Sequence, residues 1–163
     1  MYWKVDNSAI NSYISQLETL GKKTDDMIGR AIYPAAGIVT NAIADEIRSI
    51  PVMPPNKRGT SSDKLTGLTS KQISGLLDGL GISKMENSKG YVNVKIGFDG
   101  YNTVKTKGYP NGQPNVMIAR SVVSGTSFRV KNKFVDRAIQ KSKRSAEKAI
   151  EKQIEIEIKK IVK

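Results

Sequence analysis

The chain contains no cysteine and no histidine. Without cysteine there is no disulfide framework and no thiolate metal site, and the redox compartment is left open. Without histidine the usual general base, the usual metal ligand and every Ser-His or Cys-His arrangement are missing. An enzyme built from this sequence would have to work with carboxylates, lysine or tyrosine alone. No run approaches the ~18 apolar residues of a membrane-spanning helix. The opening MYWKVDNS is polar and does not read as a signal peptide. The expectation is a soluble chain with no membrane association and no cleaved export signal. Acidic residues are nearly absent from one region: between Tyr101 and Arg144, Asp136 stands alone against ten Lys and Arg.

What is present suits one globular domain over residues 1–163. Hydrophobic residues make up 38% and charged residues 26%, enough for a real core. The formal net charge is +12, and most of it lies in that single basic quarter. Such a block attracts phosphate, an anionic surface or an acidic protein, although a solvated basic face is the commoner explanation.

Along the chain, Asp6 is a suitable helix N-cap, and Ile10, Tyr13, Ile14, Leu17 and Leu20 recur on one helical face before Gly21. A second helix is expected from about Asp25 to Ser49, on the stripe Ile28, Ile32, Ala35, Val39, Ile43 and Ile47. Pro34 predicts a kink or short break near Arg30 to Pro34. Pro51 to Thr66 has no period and reads as an exposed, mobile loop or, equally, as a docking segment that orders on assembly. Thr69 and Gln72 form a capping-box pattern before a short helix that ends near Gly79 to Gly81. Gly81–Glu86 and Tyr91–Phe98 then read as a hairpin around Asn87-Ser88-Lys89-Gly90. Lys105–Lys107 or Ser127–Val130 are candidates for a third strand. Asn115–Ser124 reads as a helix with Gly125 at its end. From Asn132 a long basic helix is expected to run to the C-terminus, part of it projecting from the core. The Ile154, Ile156, Ile158 alternation within it has strand periodicity, yet the Lys and Glu content and the preceding pattern favour helix. The fold class is therefore α+β: a small antiparallel sheet, with its hairpin at about 81–98, packed by N-terminal helices and a long C-terminal helix.

The carboxylates have ordinary explanations. Asp25 and Asp26 suit a helix start, while Asp45 with Glu46, and Glu151, Glu155 and Glu157, read as solvated faces. Asp99 ends a strand, a common catalytic position, but Asp-Gly is also an ordinary turn. The glycines form no phosphate cradle: GFDGYN lacks the Lys-Ser/Thr of a P-loop, and Gly75, Gly79 and Gly81 do not follow a strand. No catalytic, metal or cofactor site is expected. Gly97 to Phe128 is the most particular stretch, with three glycines and two prolines between Asp99 and Pro114. A loop of that kind, here also read as mobile over 99–114, fixes shape for a partner more readily than it does chemistry. Tyr101, Tyr109 and Phe128 are read as anchors for it. Arg120, in a helix between apolar neighbours, suits an ion pair, carbonyl capping, a subunit contact or plain exposure.

An ordered set of segments then resembles a known family. Gly97-Phe98-Asp99-Gly100-Tyr101-Asn102, Tyr109-Pro110-Asn111-Gly112-Gln113-Pro114-Asn115 and Ala119-Arg120-Ser121 are its first pieces. Ser124-Gly125-Thr126-Ser127-Phe128-Arg129 and Phe134-Val135-Asp136-Arg137-Ala138 complete it. Together they resemble the tail-completion, or head–tail joining, proteins of long-tailed siphophages and their prophages. In that family Pro-Val is followed closely by Thr-Gly-x-Leu; here Met53 to Leu65 separates Pro51-Val52 from Thr66-Gly67-Leu68. The resemblance implies a non-enzymatic virion protein of the neck, made in the host bacterial cytoplasm. It implies a homo-oligomeric ring, commonly sixfold, between the head connector and the tail tube or tail terminator; the state of the isolated chain is left open, monomer being one alternative. Asp99, Tyr101, Tyr109, Arg120, Arg129, Lys131, Lys133 and Arg137 are the candidate contact residues. The basic ones would meet an acidic neighbour or, without sequence preference, threaded DNA. The alternative is a sequence-independent nucleic-acid-binding module using the basic 101–144 region.

Overall fold

The computed structural model describes residues 24–161; the helix expected between Asp6 and Leu20 lies outside them. The fold is α+β. Helix α1, Thr24–Arg48, has Asp25 and Asp26 in its first turn and Arg48 in its last, as the helix dipole favours. It continues as helix through Pro34, so of the expected kink or short break the break is absent. Its apolar face, from Ile28 through Ile47, is buried.

Helix α2, Ser70–Gly79, opens on the expected capping box: the Gln72 N–H donates to Thr69 Oγ1 at 3.3 Å, and the Thr69 N–H donates to Gln72 Oε1 at 3.1 Å. Four short strands follow: β1, Leu80–Ile82; β2, Glu86–Ser88; β3, Tyr91–Asn93; and β4, Ile96–Phe98. They form one hairpin interrupted in the middle. β1 pairs antiparallel with β4 (Leu80 opposite Phe98), and β2 with β3 (Glu86 opposite Asn93). Ser83 to Met85 bridges the first arm and Val94 to Lys95 the second, so the first arm carries one extra residue, a bulge. Tyr33 on α1 catches it: the Met85 N–H donates to Tyr33 Oη at 2.9 Å, and that hydroxyl donates to the Ser83 carbonyl at 3.3 Å. The turn is only Lys89-Gly90, at φ 55° and 79°, the two-residue geometry that matches strand twist; Asn87 and Ser88 belong to β2.

Among the described residues no third strand joins this hairpin. Thr106 instead closes a tight turn with Tyr109, and Arg129 makes a parallel bridge with Leu65. Helix α3 is Asn115–Ser124, ended by Gly125 at φ 71°. Helix α4, Phe134–Ile161, has 28 residues, about 42 Å of helix. The strand-like alternation at its end is resolved as helix: Ile154 and Glu157 are buried while Ile156 is exposed. Phe134, Ala138, Ser142, Ala146, Ile150 and Ile154, each four residues from the next, form one buried ridge. Burial therefore continues almost to the end of α4, and the expected projection does not occur.

α1 and α4 run antiparallel, as their ion pairs require: Arg30 meets Glu157, and Glu46 meets Arg137 and Lys141. Phe134 is fully buried, and its ring meets that of Phe98 edge-on at 6.3 Å, joining the helix pair to the hairpin.

Candidate functional site

The candidate surface is built at the end of the molecule where β4, α2 and α3 meet. The chain leaves β4 at Asp99, whose N–H donates to the Gly79 carbonyl at 2.8 Å, so the ladder continues onto the end of α2. Gly100 turns at φ 70° with its N–H on Asp99 Oδ1. Asn102 is buried. Its Oδ1 accepts from the Val104 N–H at 2.8 Å, and its own N–H donates to the Gln113 carbonyl at 2.9 Å. Asn115 is buried at the start of α3, where its Nδ2 donates to the Asp99 carbonyl at 2.8 Å. Gln72, the capping residue of α2, also reaches across: its Nε2 donates to Gln113 Oε1 at 3.1 Å. The loop over 99–114 is thus knitted to two helices by buried amides.

Two glycines of α2 make room for this. A Cβ on Gly75 would stand 2.4 Å from Asn102 Cβ, and one on Gly79 would stand 2.2 Å from the Asp99 carbonyl oxygen. Asn102 Nδ2 and Asn115 Oδ1 lack a partner among the described residues, a donor and an acceptor on two amides that both border Gly75. Asn102, Gln113 and Asn115 were not singled out from the sequence. The Asn-rich turn composition is the signal they carry, but the α2 residues they meet, Gly75 for Asn102 and Asn115 and Gln72 for Gln113, are remote in the chain.

The scaffold presents Tyr101 to solvent, 68% exposed. Tyr109 is half-buried and donates from its hydroxyl to Met117 Sδ at 3.0 Å, which ties the loop to α3 as expected of an anchor. Tyr101 and Phe128, expected to anchor the loop, are instead exposed; Tyr101 pairs with Pro114 just ahead of α3, which exposes Val116 and Met117, while Phe128 follows the other end of α3, against the Leu65 segment. Asp99 is exposed and serves the turn. Arg120 is exposed on a cleft of about 320 Å³, lined also by Phe98, Val116, Ala119 and Val123, and enters no ion pair among the described residues.

Arg129 corrects an expectation. It is buried rather than outward-facing, because the bridge to Leu65 draws this segment inward and its Nη1 donates to the Gly67 carbonyl. Burial lowers its pKa from the ordinary arginine value. Lys131, Lys133 and Arg137 do come together. With Thr66, Val130 and Asn132 they line an open concavity of about 560 Å³ at the start of α4. Arg137 is held there by Glu46 at 2.8 Å and by Asn132 Oδ1 at 2.9 Å.

Glu46 and Glu157 are the second correction. Neither is a solvated surface acid. Each is only a few per cent exposed, covered by the basic side chains that bond it. The covering is shallow, so the hydrogen bonds outweigh the cost of desolvation. Donation from Lys141 and then Arg137 holds Glu46 below the usual glutamate pKa. Lys160 and then Arg30 do the same for Glu157.

The other expected loop, Pro51 to Thr66, leaves and returns at one place. The Leu68 N–H donates to the Pro51 carbonyl at 3.0 Å, and the Met53 N–H to the Leu68 carbonyl at 2.8 Å. Pro51-Val52 and Gly67-Leu68 therefore lie side by side, and the stretch between them is a surface excursion with closed ends. Its tip packs on the Phe128 segment, where a Cβ on Gly59 would stand 2.2 Å from the Phe128 carbonyl oxygen.

Among the described residues no group of three or more acidic, His or Cys side chains could hold a metal ion, and no helix is long and apolar enough to cross a membrane. No known family model matches the chain, and neither a curated protein nor a solved structure matches it.

Proposed function

We propose that the protein is a non-enzymatic virion subunit that completes the phage neck, closing into a ring between the head connector and the tail tube. The observation that carries this reading is the exposed apolar group Tyr101, Val116 and Met117, mounted on a loop and helix fixed by buried amides. Exposed apolar side chains on a rigid frame suit association between folded subunits. In a closed ring the contacts are heterologous: this face of one copy meets a different face of the next. The side-by-side return of Pro51-Val52 and Gly67-Leu68 supports the resemblance, because the extra stretch leaves the two pieces adjacent in space. Residence in the virion, after synthesis in the host cytoplasm, follows from the same reading.

The test is to mix the purified protein with tail tubes and DNA-filled heads lacking it and to count joined particles by electron microscopy. Joining should depend on the protein and fall with Tyr101→Ser/Met117→Ser. Equal joining without the protein would remove the reading.

A further inference from the structure

We infer that the outer face of α4, continuing from the concavity at its start, binds the phosphate backbone of nucleic acid without reading sequence. At about 100° per residue, Lys133, Arg137, Lys141, Arg144 and Lys148 fall within an arc of about 80°. All five are exposed, and the row extends about 22 Å along the helix. Lys131 lies at its head, in the same concavity as Lys133 and Arg137. Asp136 and Glu147 stand to one side of the arc, and its first acid is Glu151. Arg137 and Lys141 are spent on Glu46. Lys131, Lys133, Arg144 and Lys148 enter no salt bridge among the described residues.

The neighbours of this row decide what it fits. Asp136, Gln140, Lys143 and Ser145 are polar and exposed, and a single exposed apolar side chain, Val130, lies in the concavity at the head of the row, which is short of the clustered apolar centre a folded protein partner buries. The α3 side of the molecule has such residues; this side has cations at about one per helical turn. A polymer of regularly spaced negative charge matches that row. No aromatic side chain lies along the arc to stack on a base, which leaves phosphate charge as the contact. The inference does not rest on the neck assignment, and its test needs only the purified chain.

Fluorescence anisotropy with a labelled duplex of arbitrary sequence provides that test. Four free cations predict a slope of log K against log salt near −3.6, a loss of about a hundredfold between about 50 and 200 mM salt. Lys131→Glu/Lys133→Glu/Arg144→Glu should weaken binding at the lower salt by at least tenfold and bring the slope to about −1. The control Lys71→Glu/Lys84→Glu/Lys107→Glu, of equal net charge and on exposed sites away from α4, should keep the wild-type slope. Equal losses in the two triple variants would show a net-charge effect and overturn the inference. So would absence of wild-type binding at the lower salt, or tighter binding of polyglutamate than of the duplex, which would assign the face to an acidic protein.

Discussion

The helix pair and the loop end of this molecule hold together by different means. α1 and α4 meet along repeating apolar rows, with ion pairs toward both ends of the contact. The region around α2, α3 and the 99–114 loop depends on glycines that allow close approach and on amides whose hydrogen bonds span 16 and 41 residues. A row of side chains can lose one member and keep the rest. A knot of amides between backbones has fewer substitutes, and it specifies one shape rather than adding bulk burial.

The strongest challenge to this comparison is at the residue where the two regions join. Phe134→Ala should cost about 3–5 kcal/mol by urea unfolding, because it empties a fully buried site facing Phe98. A cost below about 1 kcal/mol would show that the hairpin and helix pair are not packed as one core.

A paired substitution sharpens the contrast at smaller scale. Gly37 on α1 has open space at its Cβ position, so Gly37→Ala should stabilise by about 0.5–1 kcal/mol. Gly75→Ala improves helix propensity equally, yet its methyl would collide with Asn102, and a net loss of about 1–3 kcal/mol is expected. Thermal melts of the two variants should move in opposite directions. A rise for both would mean that the loop is not seated on α2.

The mildest effect concerns acid. Glu46 and Glu157 have folded-state pKa values below the ordinary glutamate value, so the unfolded chain binds the more protons. Their contribution is fully present above the unfolded value near 4.5 and is lost as pH falls through the lower folded values. Wild type should lose stability across that acid window more than Glu46→Gln/Glu157→Gln does. Parallel acid-unfolding curves would remove the ion pairs from the account.

The elements whose causes are local were legible in the sequence. The apolar stripe of α1, the capping box of α2, the hairpin and the extent of α3 and α4 all follow from residues close in the chain. What could not be read depends on remote partners. Glu46 resembles any acid on a wet face until Arg137 and Lys141 arrive from far along the chain. Arg129 resembles its basic neighbours until Leu65 draws its segment inward. The bulge at Ser83 to Met85 is invisible because Tyr33, which stabilises it, lies on α1. Within the candidate site, turn chemistry marked the loop, but the fastening of Asn102 and Asn115 beside Gly75 required the fold.

The adjoining stems at Pro51 and Leu68 give the molecule a place where chain length is nearly free. Doubling a flexible connection adds only about 0.6 kcal/mol of closure entropy, so this rim can be elongated at its exposed Ser61-Ser62 turn while Gly59 and Leu65 keep their contacts with the Phe128–Val130 segment. A graft there, such as a fluorescent reporter or an affinity peptide, would be carried on the outside of the subunit.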